Sequence, residues 1–220
     1  TTLTQAVTWP TPPAGFCYYI PNDQTLSIMG PNTPVLRLLP GTYVKLWQNG
    51  NIQVGDGSQR GGIIATNVVF TSVRDNEGGD TDGATTGPAG DNWRHLELTS
   101  TAVADSNVFT GCSFRYGGYY HGETVHAGTA AKFLNCSFIG SDDAGLGSNA
   151  APVVSGCTFS GNERALNLWG GASAANISGN TIGAGTAYPV WATGTCVPDL
   201  LNHNTFVPRG DGKNNAICIY

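Results

Sequence analysis

Val108-Phe-Thr-Gly-Cys112-Ser-Phe114, Phe133-Leu-Asn-Cys136-Ser-Phe138, Val154-Ser-Gly-Cys157-Thr-Phe159, Ile177-Ser-Gly-Asn180-Thr-Ile182 and Leu201-Asn-His-Asn204-Thr-Phe206 are five versions of one short phrase. Their Cys or Asn positions follow one another at intervals of 24, 21, 23 and 24 residues. A period of that length marks a repeat architecture, in which each unit hides its apolar face only by stacking on its neighbours. The phrase is short and rich in β-branched and aromatic residues, so it reads as a β-strand ending in a turn rather than as a helix.

The rest of the composition agrees with one repeat domain. Of the 220 residues 11% are charged, 31 are glycine and 40% are hydrophobic. That apolar content is enough to offset the cost of ordering the chain, which argues against disorder. A net charge of −5 leaves no basic stripe and argues against nucleic acid as a partner. No apolar run is long enough for a membrane helix. The start at Thr1, with neither a basic end nor an apolar core, reads as a processed or trimmed N-terminus. With few lysines and a Thr/Asn/Gly bias, the expected location is secreted or cell surface.

Residues 1–34 hold Pro10, Pro12, Pro13, Pro21, Pro31 and Pro34. Proline cannot donate to a ladder, so this segment is expected to be irregular capping chain, with Trp9, Phe16, Tyr18 and Tyr19 covering the end of a solenoid formed by residues 35–220. From Val35 strand signals begin, and Leu39-Pro-Gly-Thr-Tyr-Val-Lys45, Ile52-Gln-Val-Gly55 and Ala65-Thr-Asn-Val-Val-Phe-Thr-Ser72 follow one another. This succession resembles the opening of secreted right-handed parallel β-helix repeat proteins, and Asp91-Asn-Trp93 and Phe114-Arg-Tyr-Gly-Gly118 resemble that group's next coils. The resemblance spans roughly residues 35–206. It implies an all-β, right-handed parallel β-helix of roughly eight coils and says little about function, because this fold hosts lyases, hydrolases, adhesins and structural proteins alike.

Within such coils the Cys/Asn position is expected to face inward as a small-residue column. Phe114, Phe138, Phe159, Ile182 and Phe206 should form a stacked ladder beside it. A disulfide inside the column is sterically open, since adjacent strands lie about 4.8 Å apart. Cys196 and Cys218 sit one repeat apart, on what would be adjacent coils. The absence of a Cys-x-x-Cys pair gives no support to a zinc or redox motif.

Four features carry candidate chemistry. The loop from Val73 to Asp91 offers Asp75, Asn76, Glu77, Asp80 and Asp82, hard oxygen ligands suited to calcium; the same residues also suit a solvated acidic turn. A second strand in each coil, alternating with period two, is expected to expose His126, Gly147, Trp169, Trp191 and then Cys218 or Tyr220, a column fit for sugar stacking or a protein contact unless residues 170–175 fold over it. Arg115, Asp142, Asp143, Glu163 and Arg164 follow the Phe column and are the catalytic candidates. Paired carboxylates suit glycoside hydrolysis, but the companion motifs of polygalacturonase-like hydrolases and of pectate lyases are absent. His121 and His126 flank Glu123, a weak transition-metal pattern. The leading expectation is a non-catalytic extracellular structural or adhesive protein, binding a polysaccharide or assembling end to end into filaments through an uncapped last strand. The alternatives are a polysaccharide lyase or glycoside hydrolase, and a carbohydrate-binding module.

Overall fold

The computed structural model describes residues 1–83, 87, 92–120, 122–183, 188–208, 210–211 and 216–219. The chain winds as a right-handed parallel β-helix, each full turn contributing one strand to each of three parallel sheets. Sheet A has nine strands, beginning Thr2–Leu3, Thr25–Ile28, Asn51–Val54, His95–Leu98 and ending Val190–Ala192, Ile217–Ile219. Sheet B has seven, from Val7–Trp9 to Ile177–Ser178, and sheet C eight, from Tyr18–Ile20 to Thr205–Val207. In the last full coil the helix Val197–His203 stands where an eighth sheet B strand would lie. Pro198 at its start suits the first helical turn, Asp199 and His203 match its dipole, and Leu200 closes the core below.

Residues 1–34 correct the expectation of irregular capping chain. Thr2–Leu3, Val7–Trp9 and Tyr18–Ile20 pair in parallel with Thr25–Ile28, Val35–Leu38 and Tyr43–Leu46, so this segment is itself a coil. Its prolines all fall in the links between strands, where no ladder N–H is required. Pro10, Pro12 and Pro13 fill the corner between Trp9 and Tyr18, whose rings pack 4.5 Å apart.

The repeated phrase also proves to contain two strands rather than one. In the first copy it holds the end of sheet B strand Asn107–Thr110, a one-residue left-handed corner at Gly111, and sheet C strand Ser113–Arg115. The corner position is Asn67, Gly111, Asn135, Gly156 and Gly179 in successive coils, all at positive φ. Each Asn lays its side chain over the next glycine: a Cβ on Gly111 would meet Asn67 Oδ1 at 2.1 Å, and one on Gly156 would meet Asn135 Oδ1 at 2.3 Å. Glycine is required there for space as well as for φ.

Immediately after that corner comes the inward Cys/Asn column. Cys112, Cys136 and Cys157 direct their thiols at the carbonyls of Ala65, Phe109 and Phe133, 3.4–3.5 Å away. Asn180 and Asn204 donate to Val154 and Ile177 at 2.9 and 2.8 Å, the equivalent sheet B carbonyls. Thiol and amide therefore perform one task, bonding each coil to its predecessor. Cys136 is held protonated by its hydrogen bonds with Cys112 and Cys157 and by burial. All six cysteines are free. Cys196 and Cys218 do not meet, because Cys196 sits at the helix start and Cys218 lies in sheet A beside Trp191.

The expected Phe ladder is present and has a second one against it. On sheet C, Phe70, Phe114, Phe138 and Phe159 stack with centroids 4.7–5.1 Å apart. On sheet B, Phe109 and Phe133 stack at 5.1 Å and meet the first ladder edge-on. Offset stacked and edge-to-face contacts are the two favourable aromatic geometries, and this core uses both. Phe133→Ala, at the contact between the two ladders, should cost about 3–5 kcal/mol. The measurement is a lower denaturant midpoint at unchanged slope.

Candidate functional site

Because strands alternate their side chains, sheet A turns every second residue to solvent. Its register aligns Glu97, His126, Gly147, Asn167, Trp191 and Cys218 in one outward row. Asn167, not Trp169, occupies that row: Val190 pairs with Leu166 rather than with the expected Leu168. A slip of two residues preserves inside and outside, so alternation alone does not reveal it. Trp169 lies just past its strand and reaches back to stack on His126, rings 5.3 Å apart at 26°. His126 Nε2 has no hydrogen-bond partner among the described residues. The guanidinium of Arg164 lies over the Trp191 ring, 4.2 Å from its centroid. Each tryptophan is thus half-buried with one face taken by a neighbour. After Trp169 the chain turns back, Ala172 N–H donating to Trp169 O and Ser173 N–H to Ala150 O, each at 3.0 Å. Tyr220 and His121 lie outside the described residues.

Glu123 crosses the middle of the row. It lies so close over Gly147 that a Cβ there would sit 2.2 Å from Glu123 Cγ, and its Oε1 accepts from Asn167 Nδ2 at 3.2 Å. The row thus offers carboxylate, amide, imidazole and indole groups on adjacent coils.

Of the catalytic candidates, Arg115 stands apart, while Asp143 and Glu163 are both held by Arg164, at 2.8 and 3.9 Å. Arg115 stands on the outer face of sheet C, where it pairs with Glu77 and approaches Asp75 at 3.5 Å. Asp143 and Arg164 meet at the corner leading from sheet C into sheet A, 2.8 Å apart and largely buried. Asp142 is exposed while its neighbour Asp143 is buried on Arg164. The pairing is carboxylate with guanidinium, not the carboxylate with carboxylate that a general acid would exploit.

The five calcium candidates are likewise engaged by the chain. Lys45, fully buried on sheet C, donates its Nζ to the carbonyls of Asp75, at 2.5 Å, and of Gly79. Asp75 accepts from Thr71 Oγ1 and from Glu77 N–H, at 2.8 and 3.0 Å. Glu77 accepts from Arg115 and Tyr43, and the Arg115 hydrogen bond holds its carboxyl below the usual range. Asp80 caps the backbone of Asp82 and Gly83, and Asp82 pairs with Arg74 at 3.7 Å. Asn76 lies at the turn, its carbonyl accepting from Gly79 N–H. Among the described residues no cluster of three or more His, Cys, Asp or Glu side chains is arranged to hold a metal ion.

The corner that precedes each sheet A strand holds two of the catalytic candidates, Asp142 and Glu163, beside residues that the sequence does not single out. In successive coils this corner carries Asp23, Asn49, Arg94, Tyr120, Asp142, Glu163 and Tyr188. Tyr120 and Tyr188 are 77% and 52% exposed, among the most exposed large hydrophobic residues described. Just inside the corner is His95, whose pKa burial pushes down to about 4, with help from Arg94 and His126. No fixed spacing gives these residues away, because the link before each sheet A strand differs in length from coil to coil.

A family model described as adenovirus EB1 55K protein / large t-antigen matches residues 100–177, about a third of the chain. The match takes in the first three of the five repeated phrases, those of Cys112, Cys136 and Cys157. No curated protein and no solved structure matches the chain.

Two measurements follow from these contacts. His95 stays neutral in the fold but takes a proton near pH 6.5 when unfolded, so stability is complete above pH 6.5 and declines as pH falls towards 4. The loss amounts to about 3 kcal/mol, and His95→Gln should flatten that part of the pH–stability curve relative to the parent. Calcium or a chelator should leave the melting temperature unchanged. Lys45→Met, by stranding the buried Asp75 carbonyl and the half-buried Gly79 carbonyl, should lower stability by about 2–3 kcal/mol in the same thermal melts.

Proposed function

We propose that this is a non-catalytic glycan-binding protein, secreted or displayed at a surface, which lays a saccharide chain along the outer face of sheet A and its leading corner. One observation carries the reading. Aromatic rings flank and interrupt the outer face of sheet A, Tyr120 and Tyr188 at the corner before its strands, Trp191 within the outward row and Trp169 just past the far end of its strand, with Glu123, His126, Asn167 and Arg164 among them. Aromatic faces accept the apolar side of a sugar ring, and planar amide, carboxylate and guanidinium groups beside them bond its hydroxyls. Coils repeat every 4.8 Å or so, giving a regular rail rather than an enclosed pocket. The ion pairing of Arg115 and Asp143 favours binding over catalysis. The likeness to the adenovirus family model includes Glu123, His126, Asn167 and Trp169 and adds no ligand to this reading.

A panel of soluble polysaccharides run in affinity electrophoresis tests it. At least one polymer should retard the protein without being shortened. Trp169→Ala with Trp191→Ala should weaken that retardation about tenfold to a hundredfold, with the circular dichroism spectrum unchanged. Retardation by no polymer, or undiminished retardation of the double variant, would sink the proposal.

A further inference from the structure

The corner leading into sheet A encloses a groove of about 430 Å³ lined by Asp23, Thr25, Asn49, Arg94 and Tyr120. Four successive turns of the solenoid contribute to it. Asp23 does not serve as a counter-ion for Arg94. Its two carboxylate oxygens accept from the side-chain amides of Asn22 and Asn49, each at 2.8 Å.

Arg94 is presented on a firm base. Its N–H donates to Gly50 O at 3.2 Å and its carbonyl accepts from Gly118 N–H at 3.0 Å. The preceding Trp93 is fully buried, with its ring N–H on Arg115 O at 2.6 Å. The Arg94 side chain itself is exposed and makes no ion pair among the described residues. This is unlike Arg74, Arg115 and Arg164, each of which has a carboxylate partner. Opposite stands Tyr120, 77% exposed and at φ 64°, a backbone conformation that a bulky side chain rarely adopts. Tyr119 supports its ring edge-on, centroids 4.3 Å apart.

We infer that this groove binds one carboxylated sugar residue, its carboxylate on the Arg94 guanidinium and its ring against Tyr120, with Thr25 and Asn49 facing its hydroxyls. The assignment rests on the glycan reading above and gives it a charge specificity. A guanidinium with no internal partner favours a planar carboxylate, which it can bind through two parallel hydrogen bonds. The surroundings limit how many such charges are welcome. Glu97, Glu123, Asp142 and Glu163 lie along the same face and the chain carries a net charge of −5, so a polymer charged at every residue would be repelled within roughly a Debye length of 10 Å. The ligand is therefore a glycan with isolated or terminal acidic residues, not a polyanion.

The test uses the full chain and matched probes: methyl glycosides of glucuronic, galacturonic and mannuronic acid beside those of glucose, galactose and mannose, with polygalacturonate as the polyanion. Affinities come from calorimetry or ligand-observed NMR. At least one acidic glycoside should bind about tenfold tighter than its neutral twin. Arg94→Gln should abolish that preference without changing the neutral affinity, and Tyr120→Ala should weaken both members of the pair. Equal affinity for acidic and neutral twins, an unaffected Arg94→Gln variant, or polygalacturonate binding tighter than any single glycoside would each overturn the inference. If neutral polysaccharides bind but no acidic glycoside does, the groove assignment fails and the glycan reading stands. If nothing in either panel binds, both fall.

Discussion

The hydrogen bonds that join each coil to the one before it are the constraint on which everything else depends. A coil of this solenoid has no independent core; it exists because its three strands satisfy their backbone groups on both neighbours. The inward column at the corner between sheets B and C fixes which neighbour meets which. Cys112, Cys136 and Cys157 reach carbonyls one coil back, and Asn180 and Asn204 do the same with amides. Cys157 N–H in turn donates to Asn180 Oδ1 at 2.8 Å, so the change of residue type does not interrupt the column. With this register set, the two Phe ladders stack, and sheet A's outward row follows without further choice.

Scarcity of charge gives each ion on this surface a readable role. With only 10 Lys and Arg in 220 residues, few cations stand near one another. Lys45 is consumed inside sheet C holding the acidic loop, Arg115 ties the same loop from outside, and Arg164 bridges Asp143 to the Trp191 ring. These contacts replace solvent with fixed partners, and they explain why carboxylates that look like ligands or acids in the sequence are already committed. Arg94, like Arg37 and Arg60, makes no ion pair among the described residues, but it differs from them in lining a groove on a fixed backbone.

Several elements were legible because their physics is local. The five phrases announce stacked strands, since β-branched and aromatic residues at a fixed period have no other compact solution. The Phe column follows from the same spacing. Other elements were not. Prolines in residues 1–34 argue against strands, yet they mark only the corners of a coil, and nothing in the residues themselves says that the strands between them are long enough to pair. Trp169 was placed two positions out, because a slip of two keeps the inside–outside pattern and only pairing with Val190 exposes it. The second Phe ladder went unseen because Phe109 and Phe133 face Phe114 and Phe138 across the core rather than along the chain.

The sequence by itself determined a solenoid of stacked β-coils and its inward columns, while the third strand of each coil, and with it the division into three parallel sheets, came from the structure. Period and alternation are properties of the chain, and they survive in the order of the residues. What the tertiary structure alone decided is which side chains meet around a corner. Asp143 with Arg164, Arg115 with Glu77, His126 with Trp169 and the groove of Asp23, Asn49, Arg94 and Tyr120 all join residues 20 or more positions apart. Coil lengths vary with each loop, so those meetings depend on where every coil closes, and that is set by hydrogen bonding between coils rather than by any one stretch of sequence.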